Sequence, residues 1–162
     1  MGQKRGDNSV ESIENASSDT KKSDFNLEIP VSIFQDRSLS VFEILVEYLK
    51  QNFNHNYHDI AVLTNRDERT IWTVYSRVQK KRESRPKTQT ISTEIFVPIS
   101  VLLDRRCAVL EAIVFYLREK RGFSFHEIGD MLGRNDRTVW TVYSRAKKKL
   151  NAGKEDNETK VR

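Results

Sequence analysis

The chain has 162 residues, 37% of them apolar and 31% charged, with a formal net charge of +5 and a sequence isoelectric point near 9.3. That apolar fraction suits two small cores better than one large one, and the basic excess points to an anionic partner. The single cysteine, Cys107, excludes an internal disulfide framework and a cysteine-rich metal site, and no run approaches the roughly 18 apolar residues of a membrane span.

Residues 1–26 are polar, lack the apolar stretch of a secretory signal, and read as a disordered tail. A β-prone stretch, IPVSIF, follows at 29–34. Phe42, Leu45, Val46, Leu49 and Phe53 then recur at i, i+3, i+4, i+7 and i+11, the apolar face of a first helix. Asn56, with Asp59 three residues on, starts a second helix, and Asp67 caps a third whose buried stripe is Ile71, Val74, Tyr75 and Val78.

After a polar linker at 83–94 the same series returns. Residues 29–82 align without a gap onto 97–150, at a constant offset of 68, with 22 of 54 positions identical. In the second copy IFVPISVL (95–102) is the extended stretch, and Leu110, Ile113, Val114 and Leu117 face the core. Ser124 and Glu127 form a capping box with Phe123 placed to staple onto Ile128. Asn135 caps a third helix with Val139, Val142, Tyr143 and Ala146 buried. The expected fold is all-α: two tandem tri-helical helix-turn-helix units (27–82 and 95–150), each preceded by a short extended segment, with disordered tails at 1–26 and 151–162. Two arrangements of the extended segments stay open. They pair as a ribbon that sets the spacing of the units, with Pro30 and Pro98 confining them to edge positions, or each packs as an arm over its own bundle.

Two helices that cross through a short turn need a small residue where their backbones approach and one that tolerates positive φ in the turn. Gly129 and Gly133 supply both, and Ala61 and Asn65 stand in their places in the first unit. The first unit has Thr64 where the second has Leu132, so poorer packing is expected there. The series Glu127-Ile128-Gly129, Leu132-Gly133, Thr138-Val139 and Arg145-Ala146-Lys147 resembles the region 4 helix-turn-helix of bacterial sigma factors and related regulators. The resemblance covers about 50 residues per unit and implies a mode of docking on DNA. It does not imply sigma activity, which needs further domains.

In such units the third helix enters the major groove. Removing the buried stripe leaves Arg69, Thr70, Thr73, Ser76, Arg77 and Lys80 facing outward, and Arg137, Thr138, Thr141, Ser144, Arg145 and Lys148 in the second copy. Arg69 and Arg137 suit bidentate contact with guanine. The threonines suit phosphates or thymine methyls, and the basic ends Lys80-Lys81-Arg82 and Lys147-Lys148-Lys149 suit phosphates. Residues 66–87 and 134–149 each sum to +5, while the rest of 25–150 sums to −4, so the charge lies in two matching blocks. Trp72 and Trp140 suit either a DNA contact or packing against the first helix or the linker. Glu68 and Asp136 suit cytosine contacts or the helix dipole. His58 and His126 suit a phosphate contact or a solvated surface, and His55 completes no metal site.

No catalytic residue, metal site or cofactor is expected, because paired carboxylates on one face, a phosphate-binding glycine loop and a nucleophile-base constellation are all missing. The function expected is sequence-specific binding of double-stranded DNA by two similar helices in one cytoplasmic, nucleoid-associated chain, a monomeric pseudo-dimer that regulates transcription. Two alternatives stand beside it. One is a protein-interaction module that meets RNA polymerase or other transcription proteins; the other is a DNA-binding accessory of a mobile element or virus. No membrane partner is expected.

Overall fold

Each repeat opens on a β-branched stretch, and the two stretches pair. In the computed structural model, which describes residues 26–88 and 94–158 (153–158 as backbone), β1 (Glu28–Pro30) runs antiparallel to β2 (Phe96–Pro98). Glu28 faces Pro98, Ile29 faces Val97 and Pro30 faces Phe96. Val31 donates its N–H to the Ile95 carbonyl at 2.9 Å, and Ile99 donates to the Leu27 carbonyl at 2.8 Å. Ile29 and Val97 occupy one position of the repeat, as do Val31 and Ile99, so the ladder exchanges equivalent groups. An approximate twofold axis therefore passes between Ile29 and Val97.

The prolines are tolerated for a geometric reason. Alternate residues of an antiparallel pair turn their N–H away from the partner strand. Pro30 and Pro98 sit at those alternate positions, beside the bonded pairs 31–95 and 27–99.

From the strands each chain segment turns into a short helix, a 3-10 turn at Val31–Gln35 in the first repeat and α4 (Ile99–Leu102) in the second. Three helices follow in each copy: α1 (Val41–Asn52), α2 (Tyr57–Thr64) and α3 (Glu68–Ser84), then α5 (Val109–Glu119), α6 (Phe125–Leu132) and α7 (Asp136–Glu158). Their starts follow the capping residues. Ser40 accepts from the Glu43 N–H while Glu43 accepts from the Ser40 N–H, and the same reciprocal pair joins Asn56 to Asp59 and Ser124 to Glu127. At α5 Ala108 has no side-chain acceptor, so only half of the box remains, its N–H held by Glu111 at 2.9 Å.

The core lies along the axis. Ile29, Val31, Phe34, Val97 and Ile99 are fully buried, and α1 packs against its repeat equivalent α5 with Leu45, Val46, Leu49, Ile113, Val114 and Leu117 removed from water. Each such side chain contributes about 1.5–3 kcal/mol on burial. The 3-10 turn of the first repeat packs on its own α1 and also on α6 of the second. The extended stretches thus pair as a ribbon, one of the two arrangements left open, and the arm that follows the first strand also crosses onto the other repeat. Each third helix packs on the first helix of its own repeat.

One expected boundary moves. Residues 151–158, read as part of a disordered tail, continue α7, because no proline follows Leu150 and a lone glycine costs a helix only about 1 kcal/mol. The rest of the tails (1–25 and 159–162) and residues 89–93 of the linker lie outside the described residues. Among those described, no helix is long and apolar enough to cross a membrane.

Candidate nucleic-acid interface

The turn between second and third helices is built as its residues demand. Asn65 closes α2 at φ 49°, ψ 49°, and Gly133 closes α6 at φ 59°, ψ 40°, both left-handed. Gly129 is needed for clearance, since a Cβ there would stand 2.6 Å from the Arg134 carbonyl oxygen. The first repeat accommodates the methyl of Ala61 at this place and keeps it buried. Thr64 stands where poorer packing was expected. It is buried, and its hydroxyl donates to the Ile60 carbonyl at 2.7 Å, which satisfies the polar group that Leu132 lacks.

Past the turn, Asp67 accepts from the N–H groups of Arg69 and Thr70, and Asn135 from that of Thr138. These caps fix the rotation of the third helices. Ile71, Val78, Val139, Val142 and Ala146 are buried, with Val74, Tyr75 and Tyr143 partly so. On the opposite side Arg69, Arg77, Lys80, Arg137, Arg145 and Lys148 are exposed, and none forms an ion pair or side-chain hydrogen bond with a described residue. Trp72 and Trp140, for which two placements were open, lie with the exposed set at 55% and 56% of their surface.

The other expected site residues divide. Thr70 is exposed and Thr138 half-buried. Thr73 and Thr141 are half-buried and donate their hydroxyls to the carbonyls of Arg69 and Arg137, each at 2.8 Å. With the proton so used, their methyl groups are the better recognition element. Ser76 and Ser144 are half-buried, although they lie across the helix from the stripes of Ile71 and Val78 and of Val139 and Ala146.

The basic helix ends require a correction. Lys81 turns inward to Glu43 at 2.8 Å, and Lys149 to Glu111 at 2.6 Å, the same pair in each repeat. Arg82 is engaged from three sides, with Glu47 Oε1 and Oε2 at 2.7 and 2.6 Å, Ser38 Oγ at 2.9 Å and Asp36 Oδ2 at 2.9 Å. These three cations brace the bundle, and Lys80, Lys147 and Lys148 remain exposed. Burial alone would raise the Glu43 carboxyl, but the Lys81 ammonium and the Ser40 N–H and hydroxyl outweigh it and hold it below the ordinary carboxylate range. Burial is likewise outweighed at Glu111 by Lys149 and the Ala108 N–H.

Glu68 and Asp136 begin their helices and each meets the histidine of the helix before, His58 at 3.5 Å and His126 at 3.3 Å. The Asp136 contact, reinforced by Asp130, raises His126 above the usual imidazole range.

Four arginines escape a reading confined to the third helix. Arg66 and Arg134 stand in the turns just before the caps, and Arg37 and Arg105 follow the strand-proximal helical turns. The signal was present in the sequence, since both pairs are identical across the repeats at the offset of 68.

No protein-family model, curated protein or solved structure matches this chain. Its functional reading therefore rests on its own residues.

Proposed function

We propose that the chain binds double-stranded DNA sequence-specifically as a single-chain pseudo-dimer, each tri-helical unit acting as a helix-turn-helix with its third helix in a major groove. One observation carries this reading: the same arginine and tryptophan, Arg69 with Trp72 and Arg137 with Trp140, are exposed on both third helices, although the scaffolds beneath have diverged. An indole half in water offers a large amphipathic surface to a ligand, and the chain presents it twice at one position of the repeat. The unpaired guanidiniums of Arg69 and Arg137 at the helix starts supply base-reading groups, and Arg77, Lys80, Arg145 and Lys148 supply phosphate contacts. The local likeness to region 4 of sigma factors supports the docking mode, and transcription regulation from a cytoplasmic, nucleoid-associated position is the role it suits.

The approximate twofold axis gives the reading a geometric consequence. A protein with such symmetry matches a duplex whose half-sites are inverted. Selection of bound duplexes from a random pool tests this: two similar half-sites in inverted orientation are expected, and enrichment of none, or of direct repeats, overturns it.

The exposed tryptophans also favour a second reading, a docking surface for RNA polymerase or another transcription protein. It predicts no retention of random duplex in a gel shift and unchanged tryptophan fluorescence on adding DNA.

A further inference from the structure

The arm of the first repeat crosses onto the second, and the approximate twofold relation places like charges near one another at two equivalent positions. The 3-10 turn of the first repeat packs on α6, and a Cβ at Gly133 would lie 3.6 Å from the Gln35 carbonyl oxygen. Arg37, two residues beyond Gln35, is thereby brought near enough to Arg134, one residue beyond Gly133, for its charge to be felt there. Burial first, and then the charge of Arg37, pull the Arg134 guanidinium below its ordinary pKa, and burial and Arg105 do the same to Arg66.

Nothing described offsets these charges. None of the four side chains forms an ion pair or a hydrogen bond with a described residue, and Arg134 Nε is buried without a partner. The Arg66 guanidinium lies 4.3 Å over the Phe42 ring, which orients it without neutralising it. A partly buried guanidinium with a second, exposed one near it costs free energy unless an anion joins them. Each couple stands near the start of a third helix, where the helix dipole favours an anion, although the N–H groups of Arg69, Thr70 and Thr138 are already taken by the caps.

We infer that Arg37 with Arg134, and Arg105 with Arg66, form two phosphate clamps, each assembled from both repeats, that grip the nucleic-acid backbone beside each half-site. This inference rests on the DNA-binding reading above. A clamp shared between repeats makes each unit's grip depend on the other's arm, so that separated units would hold DNA poorly.

The salt dependence of duplex binding tests it. Each phosphate contact contributes about 0.9 to the slope of log affinity against log salt. The variant Arg37→Gln/Arg105→Gln, altered only at exposed positions, is expected to bind with a slope shallower by about 1.8 and to weaken specific and random duplexes alike. Arg37→Gln and Arg134→Gln combined should lose less affinity than the sum of the two singles, because both serve one phosphate. An unchanged slope, with binding retained and far-UV circular dichroism matching the parent, overturns the clamps and leaves the DNA reading standing. If the parent protein binds no duplex, that reading fails. The clamps are then judged by inorganic phosphate at ionic strength matched with chloride: a rise in Tm in the parent that Arg37→Gln/Arg105→Gln abolishes supports them, and its absence in the parent refutes them.

Discussion

Ile29 faces Val97 across the two-stranded ladder, and the two are one position of the repeat met twice. Both are fully buried, so the same contact ties the repeats together and fixes the axis that relates their third helices. Replacing Ile29 by Ala should cost about 2–5 kcal/mol, the range for truncating a packed aliphatic side chain. Urea unfolding followed by circular dichroism measures it. Beyond the stability loss, the variant should tolerate altered spacing between half-sites better than the parent; a loss of stability with spacing preference intact would mean that α1 against α5, and not the ladder, sets the geometry.

Base reading and backbone gripping are separable by substitution. Arg137→Ala should cost about 1–3 kcal/mol against the preferred site and little against duplexes changed at the base pair it reads. Lys148→Ala should weaken every sequence by a similar factor and lower the salt slope by about 0.9. Fluorescence anisotropy on a preferred site and its single-base variants distinguishes them. Equal losses from Arg137→Ala on all duplexes would remove it from the base-reading set.

Much of this molecule is legible in its sequence because the repeat states each rule twice. Asn65 and Gly133, or Asn56 and Ser124, share a function with different side chains, so the common requirement stands out. What escaped notice are contacts between segments far apart in the chain. A run such as Lys80-Lys81-Arg82 looks uniformly solvated until α1 is laid beside it, when Glu43 and Glu47 claim two of its three charges. Likewise nothing in the local pattern near Gln35 announces that its backbone packs at Gly133 of the other repeat.

The paired Glu43–Lys81 and Glu111–Lys149 contacts set an acid limit. Both carboxyls are held below their ordinary values in the folded chain, so the folded state binds fewer protons than the unfolded one in that range. Their contribution is complete above the unfolded carboxyl value of about 4.3. It falls as pH drops from there through the lowered folded values. Acid unfolding followed by circular dichroism should therefore lose steepness below about pH 4.3 in Glu43→Gln/Glu111→Gln. Identical acid profiles for parent and variant would exclude the two carboxylates as its source.

The repeats solve one packing problem in two ways, and that yields a sharper test of the Arg82 network. In the first repeat Arg82 meets Glu47, Asp36 and Ser38, whereas the equivalent positions of the second hold Leu150, Phe115, Asp104 and Arg106. There Asp104 is partnered instead by Arg106 at 2.7 Å. Removing one member of a buried ion pair strands its partners, so Arg82→Leu alone should cost about 3–5 kcal/mol. Transplanting the whole solution of the second repeat, as Ser38→Arg/Glu47→Phe/Arg82→Leu, should recover most of that loss, since apolar replacement of a buried ionic group is often neutral or stabilising. Chemical denaturation of the single and triple variants decides the matter. A triple variant no more stable than Arg82→Leu would show that the ionic network contributes shape that an apolar core at this place cannot reproduce.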